Sequence, residues 1–233
     1  MMEVRRFEDL GQGDFGWLKA RYHFSFARYY DPERMGFGDL RVVNDDRVAA
    51  GHGFDLHPHQ DMEIITYVRQ GEIRHRDNQG NEGVTKAGNV QVMSAGSGIA
   101  HMEYASESEP TVLYQIWIEP REKGVAPRWE MAEFPTETVD SSLRLLVSGR
   151  AQDEGKGALM MHADAAVWGG RLAAGSGITQ DFGQRFYILI SAGVVAIGGN
   201  ILQAGDALAA TGEGPLEMKA GEDAEVVVIG LRA

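Results

Sequence analysis

No cysteine occurs anywhere in the 233 residues. Disulfides, thiolate metal sites, iron–sulfur clusters and cysteine nucleophiles are therefore excluded. Long hydrophobic runs are missing as well. No stretch of about 18 apolar residues is present, so no membrane-spanning helix is expected. Residues 1–17 hold no apolar signal core, and a soluble cytoplasmic protein is the expectation. Positive charge is scarce, with 22 Lys and Arg against 34 Asp and Glu and a formal net charge of -12. That shortage argues against a direct nucleic-acid partner, because phosphate binding needs a local excess of Lys and Arg; a basic protein partner stays open. No glycine-rich phosphate loop, nucleophile elbow or helical HExxH pair appears.

Long helical periodicity is scarce too, and short β-type runs take its place: Leu40–Val43, Glu63–Val68, Val90–Met93, Val112–Ile118, Arg144–Val147, Arg185–Ile190 and Ala224–Leu231. Turn clusters such as Asp77–Asn81 and Gly198–Asn200 separate them, and the 30 glycines suit many tight turns. Many short strands punctuated this way predict an all-β sandwich or barrel. An internal repeat refines the expectation. Ala87–Val92 resembles Ala204–Ala209, and Tyr67–Ile73 resembles Ile188–Val195, each a strand, a glycine turn and a second strand. Two related barrels are expected, residues 1–135 and 136–233, with Glu119–Asp140 (three prolines and a glycine) as the connection partly wrapped on the surface.

The strongest chemical signal is His57-Pro58-His59. Residues i and i+2 of a strand face one way, their Cα atoms roughly 6.6 Å apart, so two imidazoles can converge on one ion. Pro58 lacks a backbone donor and predicts a strand edge or entry. Gly96-Ser97-Gly98-Ile99-Ala100-His101-Met102-Glu103 repeats the arrangement, with His101 and Glu103 two apart after glycines that let the chain bend. Three neutral imidazoles and one carboxylate suit Fe(II), Mn, Co, Ni, Cu or Zn rather than Mg or Ca. Set against this, a lone HxH is more often a pair of surface or edge-strand histidines. Glu63 is a rival carboxylate, since it shares the parity of His59. Among the remaining histidines, His52 reads as a loop residue, His75 as solvated beside a turn, and His23 as packed among aromatics. Phe24, Phe26, Tyr29 and Tyr30 read as core or rim packing. Gln115 and Trp117 share a face and are candidates for the barrel interior near the metal; Phe54 and Met93 suit either pocket wall or core.

These residues carry a family likeness. The chain resembles the pirins of the cupin superfamily, and especially the bacterial pirin-like quercetin dioxygenases, through His23–Phe26, Tyr29–Pro32, Leu40–Val42, His57–His59, Glu63, Thr66-Tyr67, Met93–Ile99, His101, Glu103 and Tyr114–Trp117. The resemblance implies a bicupin of two antiparallel β-barrels (jelly rolls) with one metal, Fe(II) foremost, in the N-terminal barrel only. It places the ligands at His57, His59, His101 and Glu103 and puts Glu63 behind them, orienting a histidine, although many other cupins use a carboxylate at the Glu63 position. It implies a dioxygenase that opens flavonols such as quercetin with release of carbon monoxide, the substrates being a small planar polyphenol and dioxygen and Glu103 the catalytic base. It also carries a different reading, an iron-dependent regulator that binds a transcription factor or metabolic enzyme. Superposing the repeats on their glycines sets Thr179 and Asp181 opposite His57 and His59, and Met218 and Ala220 opposite His101 and Glu103. With His162 the only histidine of that half, the second barrel is expected to be metal-free.

Overall fold

The computed structural model describes residues 1–212 and 214–232. They form two compact units. One comprises Gly11–Phe134 with Leu159–Ala163; the other comprises Met1–Leu10, Pro135–Ala158 and Asp164–Ala233. The change of unit at Phe134/Pro135 lies beside the expected 135/136 division. Two segments depart from a simple cut: the first ten residues join the C-terminal unit, and Leu159–Ala163, with His162, joins the N-terminal one. No helix among the described residues is long and apolar enough to cross a membrane.

Both units are antiparallel and almost wholly β. In the N-terminal unit a seven-stranded sheet runs in the order Arg128–Ala132, Val90–Ser94, Glu63–Gln70, Thr111–Ile118, Leu40–Val48, Leu18–Tyr22, Gly11–Asp14. A four-stranded sheet faces the same interior in the order Gly53–His59, Ile99–Ala105, Glu72–Asp77, Glu82–Lys86. The central strand Glu63–Gln70 is buried along nearly its whole length, which its run of Ile64, Ile65, Thr66 and Val68 suits. Ile99–Ala105 alternates instead: Ile99, His101, Glu103 and Ala105 point inward while Ala100, Met102 and Tyr104 are partly exposed. That period-2 pattern is what directs His101 and Glu103 to one face. Residues 119–140 are not simply a connection. Arg128–Ala132 pairs with Val90–Ser94 as an edge strand of the large sheet, and contributes Trp129 to the interior.

The C-terminal unit repeats the plan. Its larger sheet includes Met2–Arg5, Ala207–Thr211, Arg185–Ala192, Ala224–Leu231, Ala166–Leu172 and Arg144–Ser148 in that order, and its smaller one runs Gly177–Gln180, Leu216–Ala220, Val194–Ile197, Asn200–Gln203. Met2–Arg5 is an edge strand paired in register with Ala207–Ala210. Asp206 fastens the following residues, its carboxylate accepting from Arg6 Nη1 at 2.7 Å and the Phe7 backbone N–H at 3.0 Å. The interior is one continuous apolar cluster that includes Trp168, Ile178, Ile188, Leu208, Met218, Ala220 and Val228.

Candidate metal centre

The site is built on the four-stranded sheet of the N-terminal unit. Gly53–His59 is its edge strand, so the missing donor of Pro58 costs no ladder bond to a further strand. It pairs with Ile99–Ala105 so that His57 lies directly opposite His101 and His59 opposite Ile99. Between His101 and Glu103 the register slips by one residue, and Glu103 comes to face Phe54. This β-bulge has a consequence for the cavity. Phe54 and His57, three apart, would point to opposite faces of a regular strand; the extra residue turns both inward. Glycine makes the approach possible at two points. A Cβ on Gly53 would lie 2.1 Å from the Glu103 carbonyl oxygen. Gly96, with φ of 48°, would put one 2.0 Å from the Val125 carbonyl oxygen.

The three imidazoles converge. Ring centroids are 4.8 Å apart for His57 and His59, 4.5 Å for His57 and His101, and 5.0 Å for His59 and His101. One ring nitrogen from each lies within 4.8 Å of the others. His57 Nδ1 is 2.6 Å from the Asp55 carbonyl oxygen, which leaves Nε2 for the interior. His101 Nε2 is buried and has no hydrogen-bond partner. Burial lowers His101 to a pKa of about 2, with help from His57, His59 and His75. Burial and then His57 lower His59 to about 4. Both rings are thus neutral near pH 7 and have lone pairs to offer, the state in which histidine ligates metals.

Glu103 is buried beside them, and every polar contact it makes is a donor. Gln91 Nε2 reaches Oε1 at 2.6 Å, Thr66 Oγ1 reaches the same oxygen at 3.5 Å, and Gln115 Nε2 reaches Oε2 at 2.7 Å. Gln91 is itself held by Thr85 at 2.9 Å. Burial raises the Glu103 carboxyl to about 7, and the hydrogen bonds from Gln115, Gln91 and Thr66 oppose the rise. Each carboxylate oxygen has a second lone pair. Three imidazoles with an orphaned buried nitrogen, next to a carboxylate, are a donor set that fits a divalent transition metal.

A cavity of about 220 Å³ opens in front of this cluster. Its walls include Leu18, Tyr22, Phe26, Phe54 and Trp117, with Asn44, Asp46 and Gln115 as polar members. Trp117 stands edge-on to His59 at 5.0 Å, and Phe26 edge-on to Trp117 at 5.5 Å. Asn44 Oδ1 and Asp46 Oδ1 are buried without a partner. Burial pushes the Asp46 carboxyl well up, and the neighbouring Asp45 and Glu103 add to the rise. An outer groove of about 560 Å³, bordered by Trp17, His52, Asp55 and Tyr104, shares Phe54 and His57 with the cavity.

The expected placements of Gln115 and Trp117 on the cavity hold, and of the two places open to Phe54 it takes the pocket wall. Met93 takes the core, in an apolar cluster with Ile64 and Ile99, against Trp117 and Trp129. His23 is buried, and His52 is exposed on the outer groove. Three expectations are overturned. His75 is not solvated: it is 1% exposed and stacks flat on Trp129, with centroids 4.6 Å apart and planes 7° apart. Tyr30 is 73% exposed rather than packed. Glu63 orients no ligand ring; its Oε2 accepts from Ser94 Oγ at 2.8 Å and the His162 backbone N–H at 3.0 Å, and its Oε1 is buried without a partner. Thr66, Gln91, Asn44 and Asp46 were not singled out as site residues. Their signal is parity: Thr66, Gln91 and Gln115 lie opposite one another on adjacent strands.

In the C-terminal unit the register differs by one from the repeat alignment. Met218 pairs with Ile178, not Thr179, so Ile178 is the counterpart of His57 and Gln180 that of His59. Asp181 lies outside the strand and is exposed. No histidine stands at any of these positions.

Two antiparallel cupin barrels, with a histidine-and-carboxylate cluster found among the described residues in the N-terminal one, define the class as a bicupin with a candidate metal site. Comparison with known proteins narrows it. Residues 3–118 match the family model described as Pirin, and residues 145–231 match the one described as Quercetinase C-terminal cupin domain. The chain is 40% identical to a quercetin 2,3-dioxygenase of Escherichia coli K12, over 99% of each chain, and 48% identical to a pirin-like protein of Caulobacter vibrioides, over 98% of this chain and 99% of that one. The crystal structure of the bacterial pirin YhhW from Escherichia coli in complex with nickel(II) superposes with a TM-score of 0.91 at 39% identity, covering 99% of both chains. The chain belongs to the pirin family, and is quercetin-dioxygenase-like over its whole length.

Proposed function

We propose that this protein opens flavonols such as quercetin with dioxygen and releases carbon monoxide, in a reaction that requires one divalent transition metal, Fe(II) foremost, held by His57, His59, His101 and Glu103. The observation that carries this reading is the convergence of three imidazoles on the floor of an apolar-walled cavity. The full-length likeness to a quercetin 2,3-dioxygenase supports the substrate, and the nickel(II) complex of a pirin supports a divalent transition metal. A metal in this position supplies Lewis acidity toward a phenolate and one-electron chemistry toward dioxygen.

The chain's own residues do the rest. Trp117, Phe26 and Phe54 receive the planar rings and exclude water. Asn44 Oδ1 offers an acceptor to a phenolic hydroxyl, and the Asp46 carboxyl, pushed well up by burial, can donate or accept beside it. The outer groove, which shares Phe54 and His57 with the cavity wall, takes the part of the substrate that the cavity does not hold. Glu103, with its carboxyl near 7, is the base for the flavonol 3-hydroxyl proton. Gln91 and Gln115 fix its orientation and moderate its basicity. The protein acts in the cytoplasm.

The test is quercetin consumption by protein reconstituted anaerobically with Fe(II), after air is admitted, with metal-stripped protein as control. Metal-dependent loss of the flavonol's visible absorbance with carbon monoxide release is the expected result. No turnover at full metal occupancy would refute it and favour the regulatory role.

A further inference from the structure

Behind His101 lies a second imidazole that the reaction does not use. His75 Nδ1 is 3.4 Å from His101 Nδ1, and His75 Nε2 is 3.0 Å from Asp77 Oδ2. All three side chains are buried. Asp77 is anchored at a turn: Oδ1 accepts the backbone N–H groups of Gln79 and Asn81, both at 2.9 Å, and Oδ2 accepts Asn81 Nδ2 at 2.9 Å. Every neighbour of the carboxylate donates to it.

The protons follow from this. A carboxylate accepts only, so the hydrogen of neutral His75 sits on Nε2. Its Nδ1 then accepts, and His101 must donate from Nδ1. His101 Nε2, buried without a partner, is left with a lone pair aimed at the cluster of His57 and His59. The polarity is consistent from the turn to the metal centre. A third constraint is steric. The His75 ring lies flat on Trp129, and Gly83 is the residue that admits the indole: a Cβ there would sit 2.4 Å from Trp129. Nitrogen or oxygen atoms of His75, His101 and Glu103 also lie within 4.8 Å of one another. Both nitrogens of His75 are engaged, however, so it supports a ligand and is not one.

We propose that Asp77 and His75 form a relay that selects the Nδ1–H tautomer of His101, locks its ring and strengthens Nε2 as a donor, making them positioning residues for the metal. Outer partners of this kind raise ligand basicity and typically affect metal affinity by about 10–100-fold. The inference rests on the metal-site reading above.

The experiment is a Co(II) competition titration with a fluorescent chelator on the full chain, paired with nitrogen-15 histidine NMR of the metal-free protein. His75→Phe retains a ring to stack on Trp129 but makes neither hydrogen bond. It should weaken Co(II) binding by about 10–100-fold. His75→Gln, which keeps an acceptor and a donor, should recover most of the loss. The NMR pattern of the unsubstituted chain should show hydrogen on Nδ1 of His101 and on Nε2 of His75, a readout that needs no variant to fold. Unchanged Co(II) affinity in His75→Phe, or the opposite tautomer at His101, would overturn the relay. Failure of the metal-site reading looks different: the unsubstituted chain would bind no Co(II) at all, and the relay would fall with it.

Discussion

The two barrels of this chain share a scaffold and differ in what fills it. Thr66, Gln91 and Gln115 meet across three strands in the first barrel; Ile188, Leu208 and Val228 meet across the matching strands in the second. His57 opposite His101 becomes Ile178 opposite Met218, and Glu103, two residues on, becomes Ala220. Asn44 beside Gln115 becomes Trp168 beside Val228. The exchange is concerted. A buried carboxyl is tolerated when amide and hydroxyl donors surround it, and those donors in turn have no place in an interior without the carboxyl. The second barrel accordingly holds one continuous apolar cluster, whereas small separate clusters, such as Ile64 with Met93 and Ile99, or Val68 with Ile73 and Leu113, stand in the first. Polar interiors of this kind come as a set.

The contrast can be broken in four ways, in decreasing order of effect. His59→Ala should reduce metal content from about one ion per chain to none by elemental analysis, because no histidine stands at the matching positions of the second barrel; full occupancy would remove His59 from the ligand set. Glu103→Gln should cut flavonol turnover by about 10²–10⁴-fold while reducing metal content less. Undiminished turnover would exclude it as the base. Met218→His copies one ligand into the second barrel without its supporting set. It should bind no second ion and should cost about 1–3 kcal/mol in denaturant unfolding, as a buried imidazole without partners; a neutral result would show that the polar set is dispensable.

The fourth concerns acid. His59 and His101 are held below the unfolded imidazole value, at about 4 and about 2, so their contribution to the stability of metal-free protein is complete above ~6.5 and is lost as the pH falls through those folded values. Glu103, held up at about 7, works in the other direction: its contribution is complete below the unfolded value of ~4.3 and is lost as the pH rises through 7. The two oppose each other between roughly pH 4.5 and 6.5. Removing the carboxyl therefore exposes the histidines. Between about pH 7 and about pH 5, metal-free Glu103→Gln should lose more melting temperature than the parent chain, and parallel profiles would contradict the opposition.

Much of the centre was legible because strands alternate. His57 and His59, and His101 and Glu103, could be read as two inward pairs from spacing alone, and the all-β architecture from short runs between turns. The same rule applied from Ile73 would have placed His75 and Asp77 inward, since burial in Glu72–Asp77 alternates strictly after its first residue. The charged neighbours Arg74 and Arg76 disguised them by occupying the solvent face. Other features have no local signature. The bulge that turns Phe54 inward depends on pairing between two strands, as does the one-residue shift that makes Ile178 the counterpart of His57. Assignment of Met2–Arg5 to the C-terminal unit depends on a partner about two hundred residues away, which no window of sequence contains.

That last pairing bears on how the protein is made. Synthesis runs from the N-terminus, so Met2–Arg5 leaves the ribosome long before Ala207–Thr211 exists to receive it. The N-terminal barrel has all its strands once residue 163 has emerged and can close while translation continues. The apolar barrel cannot: its first edge strand has no partner until Ala207–Thr211 has emerged. A bulky fusion placed immediately before Met2 should therefore burden the second barrel while sparing the first.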